Sequence, residues 1–479
     1  MSRSGRTALA CPRVFAPPPE SDRGHDPRHR VRSDPWAHAG PVGRGRFRRC
    51  RIRGVVLLLA LPGLAGLPSR AAGVQADGAG EAVPCAVEDG GIVGTPGDFP
   101  CAHVELLAFV PTTTLGGAPG TLVNDVWGWT DPRTGREYAL VGRSDATVFV
   151  DVTEPRAPGV LGALPLTDGA TPSLWRDVKV YRDHAFVVAD AAGDHGVQVF
   201  DLRQLRGLDP NPGRTFRQTA RYDGVASAHN IVINQDTGFA YVVGAGMGGT
   251  TCGGGLHMID VREPSRPSFV GCFQDPATGL AGTGYSHDAQ CVLYRGPDPD
   301  HRGSEICFGA NETALSIADV TDKARPVAVS NATYPGAAYL HQGWLSDDHR
   351  FFFMNDEGDE LGGTVHRTRT LIWDVEDLDD PVLLAEHLGT TGASDHNLYI
   401  RGSLMYQSNY LSGLRILDVT DPANPVEVGY LDTVPQGNDG PGIAGAWSNY
   451  PFFASGTILV TSMREGLFLL KRQRRDAVL

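Results

Sequence analysis

Nothing in this sequence is long and apolar enough to cross a bilayer as a helix. Its main apolar run, VVLLLALPGLAGL at 55–67, has 13 residues and is broken by Pro62, whereas a spanning helix needs about 20. No two cysteines stand at C-x-x-C spacing, which excludes the usual structural zinc site. There is no G-x-S-x-G elbow for a serine nucleophile. In YSHDA, Ser286, His287 and Asp288 stand side by side, but neighbours on a strand point to opposite faces, so they cannot form a triad. The acidic NDEGDE at 355–360 lacks the D-x-D-x-D-G spacing of an EF-hand, which leaves calcium binding there and a solvated loop of surplus charge as two open alternatives. GAGMGG at 244–249 matches G-x-G-x-x-G, yet a further strand follows it. No helix N-terminus is then available for a pyrophosphate, and no nucleotide cofactor is expected. Basic charge is also scarce beyond residue 76, where 28 basic residues face 51 acidic ones, net −23. Such a body repels nucleic acid and anionic lipid and attracts cations.

The first 76 residues are different. They hold 14 Arg, no Lys and four acidic residues. The Arg-, Pro- and Gly-rich 1–54 reads as disordered. RRCRIRG, the short apolar run and the small residues Val74 and Ala76 then read as an export signal. The expected divisions are a basic extension with signal (1–76), a linker (77–102), a repeat domain (103–471) and a basic tail (472–479). With no apolar anchor in KRQRRDAVL, the mature protein is expected to be soluble and secreted, periplasmic or surface-exposed, without a membrane span. Cleavage would remove Cys11 and Cys50 and leave Cys85, Cys101, Cys252, Cys272, Cys291 and Cys307. An even count in an oxidising compartment points to disulfides. Sequence alone leaves the connectivity open, and local pairing, 85–101, 252–272 and 291–307, is the expectation.

One pattern recurs through the body: an alternating apolar run ending in Asp, a Pro-rich turn, and another strand. Examples are TVFVDVTEPRAP from 147, GLHMIDVREPSRP from 255 and GLRILDVTDPANP from 413. The Asp positions are 151, 201, 260, 319, 374 and 418, a period that suits one four-stranded propeller blade. A seventh copy, GLFLLKRQ from 466, ends the chain without its last strand, while HVELLAFVPT at 103–112 is an orphan strand. The expected fold is therefore all-β: a seven-bladed β-propeller closed by an N-terminal strand that completes the last blade.

These units resemble the LVIVD repeat. The stretch from about 104 to 471 resembles the choice-of-anchor B family of exported bacterial proteins, a likeness carried by YSHDAQCV, EICFGANETALSIADVTD, HQGWLSDDHRFFFMNDE and SDHNLY. The resemblance implies a secreted or surface-displayed propeller whose C-terminal anchor varies, and it implies no particular reaction.

Four histidines stand at the threshold of an alternating run: His229, His287, His341 and His396. Counting back from the repeated Asp gives Asp125 and Asp177 equivalent places in the first two blades, with the seventh near Trp447. All six are candidate metal ligands at one mouth of the channel. Loops between second and third strands should add Asp190, His195, Glu312, Asp356 and Glu357 to the same face. Imidazole with carboxylate suits a divalent ion such as Zn, Cu or Mn, and carboxylate-rich loops suit Ca. Against this stands the structural reading, in which each ring simply ties its blade to the next. Three functions remain open: a monomeric module binding a protein, glycan or small molecule; a metal-dependent hydrolase or oxidase; and an envelope scaffold.

Overall fold

The computed structural model describes residues 83–85 (main chain only) and 99–473. The expected basic extension and export signal lie outside these residues, as does most of the tail. The described residues belong to one compact unit, Val74–Leu479. They form seven antiparallel blade sheets arranged as a propeller and a two-stranded ribbon of Val225–Ser227 with Met247–Gly249; in blades one to six the innermost strand comes first in sequence. Blades one to six occupy 123–165, 176–222, 230–273, 288–332, 340–388 and 398–431. Blade seven combines Ala446–Tyr450, Thr457–Ser462 and Gly466–Arg472 with Val104–Pro111 from the other end of the chain. The expected closure is thus present, with Phe109 opposite Phe468 and Val110 opposite Leu467.

The repeated Asp explains why the sequence folds this way locally. In six blades its Oδ1 accepts the main-chain N–H two residues on, at 2.8–3.1 Å: Asp151, Asp201, Asp260, Asp319, Asp374 and Asp418. Such an Asx turn ends the third strand and sends the chain back to form the fourth. Two residues or fewer before that Asp, the pairing of third and fourth strands shifts register in blades one, three, four, five and six. A bulge there adds twist, which a blade needs to pack on its neighbours.

The core is not one mass but seven apolar layers, one in each gap between adjacent blades. Phe149 and Phe200, for example, stack across the first gap with centroids 4.5 Å apart, and Phe308 meets Phe352 across the fourth at 5.4 Å.

One feature departs from expectation. The segment assigned to a linker carries strands Val83–Cys85 and Phe99–Ala102, and the second extends blade six by pairing Cys101 with Leu431. Cys252–Cys272 and Cys291–Cys307 form the expected disulfides. Cys101 is also disulfide-bonded, while the side chain of Cys85, its expected partner, is outside the described residues. These bonds fit an oxidising compartment. No helix among the described residues is long and apolar enough to cross a membrane.

Closure predicts a large effect of truncation. Leu106, Leu107 and Val110 of the closing strand are buried, and each large aliphatic side chain contributes roughly 1.5–3 kcal/mol. Removing residues 1–112 is expected to cost at least about 5 kcal/mol and leave an open strand edge that associates. Urea unfolding with light scattering checks this, and a monomer of unchanged midpoint would contradict it.

Candidate functional site

Each innermost strand has one edge in its own sheet and the other facing the channel. Main-chain groups on the channel edge need partners, because an unpaired buried N–H or C=O is costly. Side chains of the preceding blade supply them. Asp125 Oδ2 accepts Val178 N at 3.1 Å, Asp177 Oδ2 accepts Ile231 N at 2.7 Å, and Gln342 Oε1 accepts Leu398 N at 2.9 Å. Asn230 Nδ2 donates to His287 O at 3.0 Å.

The histidines follow the same logic one residue earlier. His287 Nδ1 is 2.9 Å from His341 O, and His396 Nδ1 is 2.5 Å from Trp447 O. A carbonyl can only accept, so Nδ1 carries the proton and the lone pair of each ring lies on Nε2. The structural reading and the ligand reading are therefore compatible, since they use different nitrogens of one ring. The four rings form a continuous arc, with centroids 4.2 Å apart from His229 to His287, 4.1 Å to His341 and 4.4 Å to His396. Trp447 continues it at 4.6 Å.

Asp125 and Asp177 belong to the next layer of the channel. Asp177 pairs Val188, Asn230 pairs Val243, Asp288 pairs Ala310 and Ser448 pairs Thr461. The residues equivalent to the histidines are Asn124 and Arg176, so the sequence alignment of these two blades was one residue out. In blade one a register shift between Val123 and Val126 hides the offset. The two carboxylates instead hold the buried Lys179, whose Nζ bonds Asp177 and lies 3.3 Å from Asp125 Oδ2. Burial pushes the Asp177 carboxyl well up, whereas for Asp125 the Lys179 ammonium and hydrogen bonds outweigh burial and hold it down. Even so, both acids and all four histidines line one small cavity of about 10 Å³, room for about one water or ion.

The loop residues divide. Asp190 joins the arc, its Oδ2 3.1 Å from His229 Nδ1 and its Oδ1 accepting Ser227 Oγ. Glu357 joins too. The run NDEGDE is not a solvated loop: Glu357–Leu361 is one helical turn with Asp359 and Glu360 buried. Glu357 Oε2 lies 3.9 Å from His341 Nε2, and Oε1 accepts Tyr410 O–H at 2.6 Å. His341, Glu357 and His396 each offer a ligand atom within 4.8 Å of the others. The remaining three are turned elsewhere. Asp356 caps that helical turn and accepts Tyr334 O–H, Ala338 N and Tyr339 N. Glu312 accepts Leu280 N at 2.7 Å. His195 is buried against Arg176, with Nε2 3.3 Å from its Nη1.

Burial sets the protonation of the arc. It drives His287 and His341 well below the ordinary histidine value and His396 down to about 3, with neighbouring rings adding to the effect. Three imidazoles are thus neutral and able to donate a lone pair. Burial also raises Glu357 to about 7. For His229 burial is outweighed by the bond and charge of Asp190, and its pKa is raised. His341 Nδ1 is buried without a hydrogen-bond partner; Asn355 beside it turns its own amide to Gln342 N and His396 O. Asp395 is fully buried with neither oxygen paired, and burial raises it strongly. Arg176, Lys179, Tyr410 and Asp395 were not singled out from sequence. Arg176 and Lys179 could have been, as the only basic residues in a run that reads RDVKVY.

The LVIVD repeat family matches residues 403–433, the second to fourth strands of blade six. No curated protein matches the chain. Among solved structures, it is similar to the β-propeller domain of Cps50 (Swd1) from Myceliophteria thermophila, with 12% identity, a TM-score of 0.45, and coverage of 70% of this chain and 93% of that one. It is similar to hydrazine synthase of Kuenenia stuttgartiensis at 12% identity and TM-score 0.45, covering 71% and 93%. A functionally unknown protein of Desulfotomaculum acetoxidans gives 12% and 0.44, covering 67% and 87%.

The His229–Asp190 pair carries a pH signature. A histidine raised above its ordinary 6.5 stabilises the fold fully below that value, and the contribution fades as pH rises through the folded pKa. In metal-free protein, Asp190→Asn should move the His229 titration downwards, read by NMR of the ring protons. An unmoved titration would show that Asp190 does not set it.

Proposed function

We propose that this chain is an exported LVIVD-repeat propeller of the choice-of-anchor B kind that binds one divalent metal ion at the histidine mouth of its channel and presents that mouth to a partner. The observation that carries the reading is the convergence of His341, His396 and Glu357 within 4.8 Å, backed by a His341 nitrogen and an Asp395 carboxyl that are buried without partners. An unsatisfied buried polar group asks for an unseen ligand. Ligands about 2.0–2.2 Å from a tetrahedral ion stand about 3.4 Å apart, so an ion would draw the three together. Two imidazoles and a carboxylate favour Zn, Cu or Mn over Ca. Export is supported by the disulfides and by the basic, apolar and small-residue succession at 49–76. His287, His229, Asp125 and Asp177, which line the same cavity, would stand around the ion without binding it.

A metal-dependent hydrolase or oxidase is the second reading. It is favoured by Glu357, a buried carboxyl with a pKa raised to about 7, which is where a general acid or base works best.

Protein purified without chelator and analysed for elements should hold about one equivalent of a transition ion. His341→Ala with His396→Ala should lose it, and Glu357→Gln should bind at least tenfold more weakly, a change of about 1.4 kcal/mol. A metal-free wild type whose melting is unmoved by Zn, Cu or Mn would overturn the proposal. Thiol-oxidation and phosphoesterase assays on the loaded protein separate enzyme from binder.

A further inference from the structure

Three residues further along the innermost strands, the channel changes character. The layer there is Trp127 of blade one, Trp344 of blade five, Tyr399 of blade six and Tyr450 of blade seven, joined by Phe452. Their rings meet at 5.0–5.7 Å: Trp127 with Tyr399 and Tyr450, Trp344 with Tyr399, and Tyr450 with Phe452. All four contacts are edge-to-face, so each covers a single ring face. The opposite wall is mixed, with Lys179 and Gln290 of blades two and four on either side of Val232 of blade three. Together they enclose a cavity of about 550 Å³, within the size range of small-molecule sites. Trp127, Trp344, Tyr450 and Phe452 are only half-buried, as they would be if waiting for a ligand. Trp129, also in the wall, is buried with its indole Nε1 unpaired.

Charge selects the ligand class. A cation would usually seek such aromatic faces, but Lys179 Nζ already takes that place, 4.7 Å from the centre of the Trp127 ring. An anion finds no positive field, because Lys179 is held by both Asp125 and Asp177, with Asp288 in the same layer as those acids. At the rim, Arg295 is paired with Asp236 at 2.9 Å. A neutral ligand remains, with an apolar face for the indoles and hydroxyls for the amides and the ion pair. That description fits a sugar ring.

We propose that the mouth opposite the histidines is a saccharide site, in which Trp127 and Trp344 stack on a neutral sugar and Gln290 with the Arg295–Asp236 pair meets its hydroxyls. This site shares no residue with the metal centre and does not depend on it.

The test is a tryptophan-fluorescence titration of the metal-loaded protein. The probes are neutral disaccharides built of hexose, pentose and N-acetylhexosamine units, with choline and inorganic phosphate alongside. At least one disaccharide should saturate, and neither ion should. Trp344→Ala should weaken that sugar at least tenfold, while His341→Ala with His396→Ala should leave its affinity unchanged. Should Trp344→Ala not fold, Gln290→Ala and saturation-transfer NMR on the wild type report on the same contact. Saturation by no sugar, by choline or phosphate instead, or loss of sugar binding in the histidine variant would overturn the assignment.

Discussion

The channel edge of the innermost strands governs this molecule. Seven strands each present unpaired amide and carbonyl groups to a space too narrow for bulk water, and those groups need partners. The chain meets the need from blade to blade, so that Asp177 serves Ile231 of blade three and His396 serves Trp447 of blade seven. Polar side chains are therefore required around the axis whatever the protein does. Their chemical identity is left free, and that freedom is where function can enter. An imidazole satisfies the next blade with one nitrogen and keeps the other. A carboxylate in this channel does the same by another route, as when Asp177 accepts from Ile231 with one oxygen and holds Lys179 with the other.

Layering follows from the same constraint. Successive residues of seven strands produce successive rings of side chains, so one channel holds an imidazole arc, a lysine–carboxylate layer and an aromatic vestibule within a few residues of each other. The middle layer separates the two ends. Asp125, Asp177 and Lys179 fill it with charges that satisfy one another, a wall that is polar yet closed.

The architecture was legible in the sequence because it is written locally and six times over. The repeated Asp makes the same Asx turn in each blade, and alternation marks the strands on either side. Closure was legible as a count, one strand too many at the start and one too few at the end. What local reading missed has physical causes. Asp125 and Asp177 were put level with the histidines because intervals along the chain absorb loop lengths and bulges alike, and the irregular pairing of Val123 and Val126 shifts the count by one. A solvated loop stayed open for the acidic run at 355–360 because Tyr334 and Tyr410, which bond its carboxylates, lie 22 and 53 residues away. Phe99–Ala102 was too short, and too interrupted by Pro100, to show as a strand, yet blade six offered it an edge. The His341–Glu357–His396 group spans two blades and a helical turn, a combination no spacing rule describes.

The seam between Val104–Pro111 and Gly466–Arg472 has one more consequence, in time rather than in space. A ribosome makes the closing strand before the six complete blades and its partner after all of them. Every blade from one to six can complete its own sheet as it emerges, but the disc stays an open arc until Gly466–Arg472 has been made. The contact that joins its ends closes a loop of more than 350 residues, the slowest kind to find by diffusion. Until then the apolar faces on either side of the seam have no cover, and the early strand must remain unclaimed by any other edge. A chain built this way cannot take its final shape until Gly466–Arg472 has reached Val104–Pro111, so the ring is the last thing this order of strands can make.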